Sequence, residues 1–126
     1  MLKNESVVVV ADNTGAKKAK IIRILKGSAG KTATVWDSVV VAIKSATPNG
    51  SAKKWEVTRA VVVRVRKEIP RKDGTYIRFE DNAVILMTKN DKGEMSPTGK
   101  RVFGPVAREL RELWYRNITN MAEEVL

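Results

Sequence analysis

The chain has 126 residues, 24 lysines and arginines against 14 acids, a formal net charge of +10, and neither cysteine nor histidine. That length supports one domain with its own core, while the missing residue types exclude disulfides, thiol nucleophiles, histidine bases and cysteine or histidine metal sites. No apolar run approaches a membrane span and the N-terminus carries no secretory or transit pattern, so the expectation is a soluble chain in a reducing compartment, with no membrane partner and no cofactor.

Strand signals fill the first two thirds. Val7 to Val10 is a short apolar run closed by Asp12-Asn13-Thr14-Gly15, a turn cluster whose side chains satisfy local backbone groups. Ala19 to Leu25 alternates imperfectly, because Lys20 and Arg23 interrupt Ile21, Ile22, Ile24 and Leu25, and Gly27-Ser28-Ala29-Gly30 then ends the strand. Val35 to Ile43 is rich in β-branched residues, with a bend expected at Asp37-Ser38 and a stop at Thr47-Pro48-Asn49-Gly50. Val57 to Val65 and Tyr76 to Met87 are predicted to be two long strands joined by a cationic ribbon. At its tip, Asp73-Gly74 predicts a two-residue type I′ turn. Five strands separated by short turns predict a mainly β fold, a small five-stranded β-barrel without exposed edges and with a projecting β-ribbon over about residues 66–79.

The periodicity changes after Gly99. Gly104-Pro105 stands where a helix would begin, and Val106, Leu110, Leu113 and Trp114 follow at helical spacing. Asn120 with Glu123 three residues on reads as a capping box for a short final turn. The expected organisation is a single domain, a barrel over about 1–99 with a short helical tail over about 100–126 packed on one barrel end. No repeat or linker interrupts it.

Charge is regional. Residues 1–79 hold 17 basic and 6 acidic side chains, whereas residues 80–126 hold 7 and 8. From Asn13 to Trp36 there is no acid at all. Such asymmetry predicts one polyanion-binding face and a separate, near-neutral face. The cations expected to meet phosphate are Lys17, Lys18, Lys20, Arg23, Lys31, Lys53, Lys54, Arg64, Arg66, Lys67, Arg71, Lys72 and Arg78. Arg64 and Arg66 alternate with Val63 and Val65, which predicts that both lie on the outer face of one strand.

Two enzyme-like patterns fail on inspection. Gly27 to Thr32 ends like a phosphate-binding P-loop, but the first glycine of that motif would have to stand at Leu25. Asp73, Glu80 and Asp81 resemble a carboxylate set only until the turn claims Asp73 and a solvated bend claims the other two. Neither pattern supports catalysis. Aromatic residues are few, with only Tyr76 inside the ribbon, and Trp36 and Trp55 at strand beginnings are expected to pack at barrel ends. Phe79 is expected in the core. The predicted contact with nucleic acid is therefore to phosphate and shape of folded RNA, with little base readout.

Ala60 to Val63 followed by Asp73-Gly74, Phe79 and Asn82, with Val7 to Gly15 upstream and Arg101 to Leu110 (RVFGPVAREL) downstream, resembles the large-subunit ribosomal protein fourteen family of bacterial and organellar type. The similarity runs to Glu124-Val125-Leu126. It implies a structural, non-enzymatic role: binding to large-subunit rRNA, packing beside ribosomal proteins three and nineteen, and contact with small-subunit rRNA at an intersubunit bridge. It implies, too, a face on which a ribosome silencing factor docks. Lys100, Arg101, Phe103 and Arg108 fall on that face by position. The implied location is the large subunit, in bacterial cytoplasm, mitochondrial matrix or plastid stroma. Lys100 replaces a threonine common in the family, Trp36 and Trp55 stand at frequent glycine positions, Gly30-Lys31 stands where an arginine pair is frequent, and Lys89 to Pro97 is lengthened. A second reading of the residues is a free regulatory module whose neutral C-terminal face docks a protein while the basic face supplies weak electrostatic RNA steering.

Overall fold

Period-two burial sets the inside and outside of the barrel. In a computed structural model, which describes residues 2–3, 5–25, 32–33, 35, 37–48, 50, 52–71, 73–89, 93, 95–107 and 122–126, strand β3 (Ser38–Ala46) buries Val39, Val41 and Ile43 completely and turns Val40, Ala42 and Lys44 outward. Strand β1 (Val7–Val10) does the same with Val8 and Val10 inside and Val7 and Val9 outside. The imperfect alternation of β2 (Ala16–Ile24) has a physical cause. Its register against β3 shifts between Ala16 and Lys18, Lys18 and Ala19, and Ile21 and Arg23. The first and last of these insert an extra residue in β2, whereas the middle one inserts Lys44 in β3, so Lys17-Lys18 and Ile22-Arg23 both face out while Ala16, Ala19, Ile21 and Ile24 face in.

Strands β4 (Val57–Arg64) and β7 (Ala83–Lys89) complete the cylinder. The order is β1-β2-β3-β4-β7, closed by a parallel pairing of Val9 and Val10 with Ala83 and Val84. An additional strand, β8 (Met95–Pro97), pairs with the far end of β7 at Met87 to Lys89. Ala60 to Val65 and Ala83 to Met87 are buried without alternation, as continuous apolar runs covered on both faces are. The outer cover of β4 includes β9 (Val102–Val106), whose Val102 and Val106 join the same core.

The ribbon is a separate two-stranded element. Ile69–Pro70 (β5) pairs with Tyr76–Ile77 (β6), and Arg78 to Asn82 breaks the second long strand expected from sequence into β6 and β7. The tip is not a two-residue type I′ turn. Arg71 N–H donates to Thr75 O at 2.8 Å and Gly74 N–H donates to Arg71 O at 3.1 Å. Gly74 has φ +86°, and Asp73 is not among the residues with positive φ. This is the three-residue hairpin loop in which a turn is followed by a left-handed glycine. Asp73 still serves the turn, accepting from Thr75 N at 3.1 Å and Thr75 Oγ1 at 2.6 Å.

The C-terminal expectation needs correction. Gly104-Pro105 lies inside β9 rather than at a helix start, and Ala122–Val125 forms strand β10, parallel to β9, rather than a capped final turn. Two features disfavour a helix there. Gly104 takes φ +78°, outside helical space, and the carbonyls of Phe103 and Pro105 accept from the Arg64 guanidinium instead of from a helical ladder. The helix expected over Val106 to Trp114 falls from residue 108 onward outside the described residues, as do the Gly27 to Gly30 turn, Trp36 and, within the lengthened Lys89 to Pro97 segment, residues 90–92 and 94.

Candidate nucleic-acid interface

The two outward bulges of β2 create a basic surface. Lys17, Lys18 and Arg23 are exposed on the outside of one strand whose other face is locked in the core, and among the described residues none of the three makes an ion pair. Lys20 is half-exposed beside Glu5, with Nζ 3.9 Å from Oε1, a surface pair of small energetic consequence. Lys53 and Lys54 are exposed in the turn between β3 and β4, and Arg66, Lys67 and Arg78 are exposed on the ribbon stem. Lys31 and Lys72 lie outside the described residues. Arg71 is half-buried and donates from Nη2 to the Leu126 carbonyl, tying the ribbon tip to the C-terminal residue.

Arg64 does not belong to this surface. It is 6% exposed, because the register shift between Val62 and Arg64 ends the simple alternation and β9 covers the strand. Its guanidinium is satisfied internally. Nε donates to Asp81 Oδ1 at 2.7 Å, Nη2 to Asp81 Oδ2 at 3.3 Å, and Nη1 to the carbonyls of Phe103 at 2.7 Å and Pro105 at 3.0 Å. A Cβ on Gly104 would stand 2.7 Å from Nη1, so glycine is what lets the guanidinium lie against β9. Asp81, which looked like a solvated bend residue, is the partner in this fork.

The turn Asp12 to Gly15 positions the other candidate face. Asp12 is buried and its two oxygens accept from Thr14 N at 3.2 Å, Thr14 Oγ1 at 2.6 Å and, across the barrel wall, Leu86 N at 3.0 Å. Burial pushes its carboxyl above the ordinary value of 3.8, with the hydrogen bonds from Thr14 and Leu86 opposing the shift. Next to it, Asn13 Oδ1 accepts from Lys100 N at 2.8 Å and Arg101 N at 3.3 Å. The backbone carrying the two cations is thereby fixed to the barrel, and both side chains are exposed. Phe103 is 46% exposed and, with Val9 and Lys17, lines a shallow groove of about 460 Å³. Arg108 lies outside the described residues.

Three features escaped sequence reasoning. Asn13 carried a turn signal only, since its hydrogen bonds reach partners far away in the chain. Lys44 was legible as an outward position of β3 but was passed over. Trp55 is not packed at a barrel end: it is 63% exposed, with Lys44 Nζ 4.6 Å and Lys54 Nζ 5.1 Å from the ring centroid. Phe79, by contrast, is buried as expected. No group of three or more Asp, Glu, His or Cys suited to a metal ion occurs among the described residues.

A barrel of this topology, with a basic outer strand and a tethered Lys100-Arg101 edge, is matched over residues 1–126 by the family model for ribosomal protein L14p/L23e. The chain belongs to that family. The match spans all five barrel strands, the ribbon and β9–β10, so no element of the fold stands outside the L14p/L23e pattern. Membership makes the chain a structural protein of the large ribosomal subunit.

Proposed function

We propose that this L14p/L23e chain acts as one ribosomal-protein unit that anchors to large-subunit rRNA through the outer face of β2, the Lys53-Lys54 turn and the ribbon stem. The observation that carries this reading is the grouping of Lys17, Lys18 and Arg23 on one face of a core-locked strand, with no acid paired to them among the described residues. Cations on a fixed backbone meet phosphates at the cost of side-chain order alone, and each contact releases counterions, so binding weakens as salt rises. The Lys100-Arg101 edge, with Phe103 beside it, would face small-subunit rRNA at an intersubunit bridge. Its mixture of cations with an exposed ring also suits a silencing factor, and ribosomal proteins three and nineteen are the neighbours the resemblance suggests. The chemistry proposed is binding, not catalysis.

The test is sedimentation of native lysate before and after a high-salt wash, with the chain and its Lys17→Glu/Lys18→Glu variant. The expected result is salt-resistant comigration of the unmodified chain with large subunits and reduced incorporation of the variant. Release of the unmodified chain into the top fractions would instead favour a free regulatory module, a reading to which the exposed Val9 and Phe103 groove gives some support.

A further inference from the structure

The Trp55 turn combines features that neither the core nor a solvated loop requires. Among the described residues the indole is the second most exposed large hydrophobic side chain after Tyr76, at 63%, yet the turn beneath it is firmly anchored. Trp55 N–H donates to Ile43 O at 2.7 Å, Ile43 N–H donates to Glu56 O at 2.9 Å, Glu56 N–H donates to Lys53 O at 3.1 Å, and Lys53 N–H donates to Glu56 Oε2 at 3.1 Å. Trp55 itself has φ +72°, a left-handed conformation that a bulky residue adopts only at a conformational cost. A strained backbone thus holds a large ring outward, where it buries little of its own area.

The ring's surroundings are cationic. Lys44 and Lys54 both place Nζ within about 5 Å of the centroid, inside cation–π range. Strand register continues the basic surface away from the ring: Lys20 pairs with Ala42, Lys18 pairs with Ser45, and Lys44 lies on the outward phase of β3 between them. The adjacent acid, Glu56, is engaged by the turn through its bond from Lys53 N–H. An aromatic face flanked by two flexible ammonium groups matches the two parts of a nucleotide, a planar base and its phosphates. A folded duplex offers no free base face, so the match is to an unpaired nucleotide in a loop or bulge.

We propose that Trp55 is a stacking platform for an unpaired RNA base, with Lys44 and Lys54 turning from the indole to the flanking phosphates. This rests on the reading of the chain as an RNA binder and adds base contact to what would otherwise be phosphate and shape recognition. The ring is presented in advance by the anchored turn, so little order is lost when a base arrives.

The test uses the full chain and its Trp55→Ala, Trp55→Phe and Trp55→Gly variants, with a single-stranded twelve-residue oligoadenylate as probe, titrated over a range of KCl concentrations. Trp55→Ala and Trp55→Gly are expected to weaken binding about tenfold at every salt concentration, leaving the slope against salt unchanged because no cation is lost. Trp55→Phe should retain most of the affinity. Trp55→Gly should also raise the unfolding midpoint by roughly 4 °C through relief of the positive φ, so affinity and stability move in opposite directions, which a packing role for the indole would not produce. Equal affinity of Trp55→Ala and the unmodified chain, with Lys17→Glu/Lys18→Glu still weakened, would overturn the stacking proposal and leave the RNA reading intact. Failure of the unmodified chain to bind this probe and to stay on salt-washed subunits would remove both. In assembled subunits, Trp55→Ala should make one unpaired base newly reactive to chemical probing; loss of a neighbouring protein with no change in base reactivity would show a protein on the ring and refute the proposal.

Discussion

Replacing Arg64 with alanine isolates the contact that fastens β9 to the barrel. The substitution removes donors from the carbonyls of Phe103 and Pro105, each worth about 1 kcal/mol when left unsatisfied in partly buried surroundings. Loss of the buried methylene stem adds about 1 kcal/mol. The ion pair itself adds little, because the Asp81 side chain is 41% exposed and its carboxylate rehydrates. The expected loss is therefore about 3 kcal/mol, or roughly 12 °C in unfolding midpoint for a chain of this size. Urea titration of the full chain followed by tryptophan fluorescence measures it. Arg64→Lys should fall between, since one ammonium cannot span Asp81 and two carbonyls at once. A loss below about 1 kcal/mol for Arg64→Ala would refute the idea that the guanidinium holds β9 in place, and Arg64 would have to be reconsidered as an ordinary surface cation.

Gly104→Ala is expected to destabilise the same junction by about 2 kcal/mol, combining a left-handed φ with a Cβ 2.7 Å from Arg64 Nη1; an unchanged urea midpoint would contradict it. Asp12→Asn should cost about 2 kcal/mol, because an amide nitrogen would face either the Leu86 N–H or the Thr14 donors. The raised carboxyl value of Asp12 also has a defined sign: the folded state holds the proton more tightly, so this contribution is full below about pH 3.8 and is lost as pH rises through the higher folded value. Comparing the pH dependence of stability with that of Asp12→Asn should show the downward slope only in the unmodified chain. Lys17→Glu/Lys18→Glu should lower the salt slope of RNA binding by about two contacts without lowering the unfolding midpoint, and an unchanged slope would show that β2 does not meet phosphate.

Much of the barrel was legible because local period-two patterning and burial agree along β1 and β3. The irregular spacing in β2 was visible too, but its meaning was not: only the partner register reveals that extra residues push Lys17-Lys18 and Ile22-Arg23 outward in pairs. Arg64 was misjudged for the complementary reason. Alternation assigns a face but does not say whether another segment covers that face, and β9 comes from some forty residues downstream. At the C-terminus, Val102 and Val106 are compatible with either period, and the choice of strand depends on Arg64 drawing off the intervening carbonyls. Trp55 was misplaced because apolar character predicts burial on average, whereas the anchored turn at φ +72° holds this indole out. The tether from Asn13 to Lys100 and Arg101 joins residues too distant in sequence for any spacing rule to connect.

The parallel closure of the barrel bears on how the chain is made. On one side β1 finds β2 almost at once, through Val7 to Val9 against Lys20 to Lys18, so a β1-β2-β3 meander has its partners early. On the other side Val9 and Val10 must wait for Ala83 and Val84. During synthesis, which proceeds from the N-terminus, the cylinder stays open until β7 has left the exit tunnel, with the inner apolar side chains of β1 to β4 accessible and the outward cations of β2 keeping neighbouring nascent chains apart by repulsion. Closure by so distant a pair makes completion of the barrel a late step on the nascent chain.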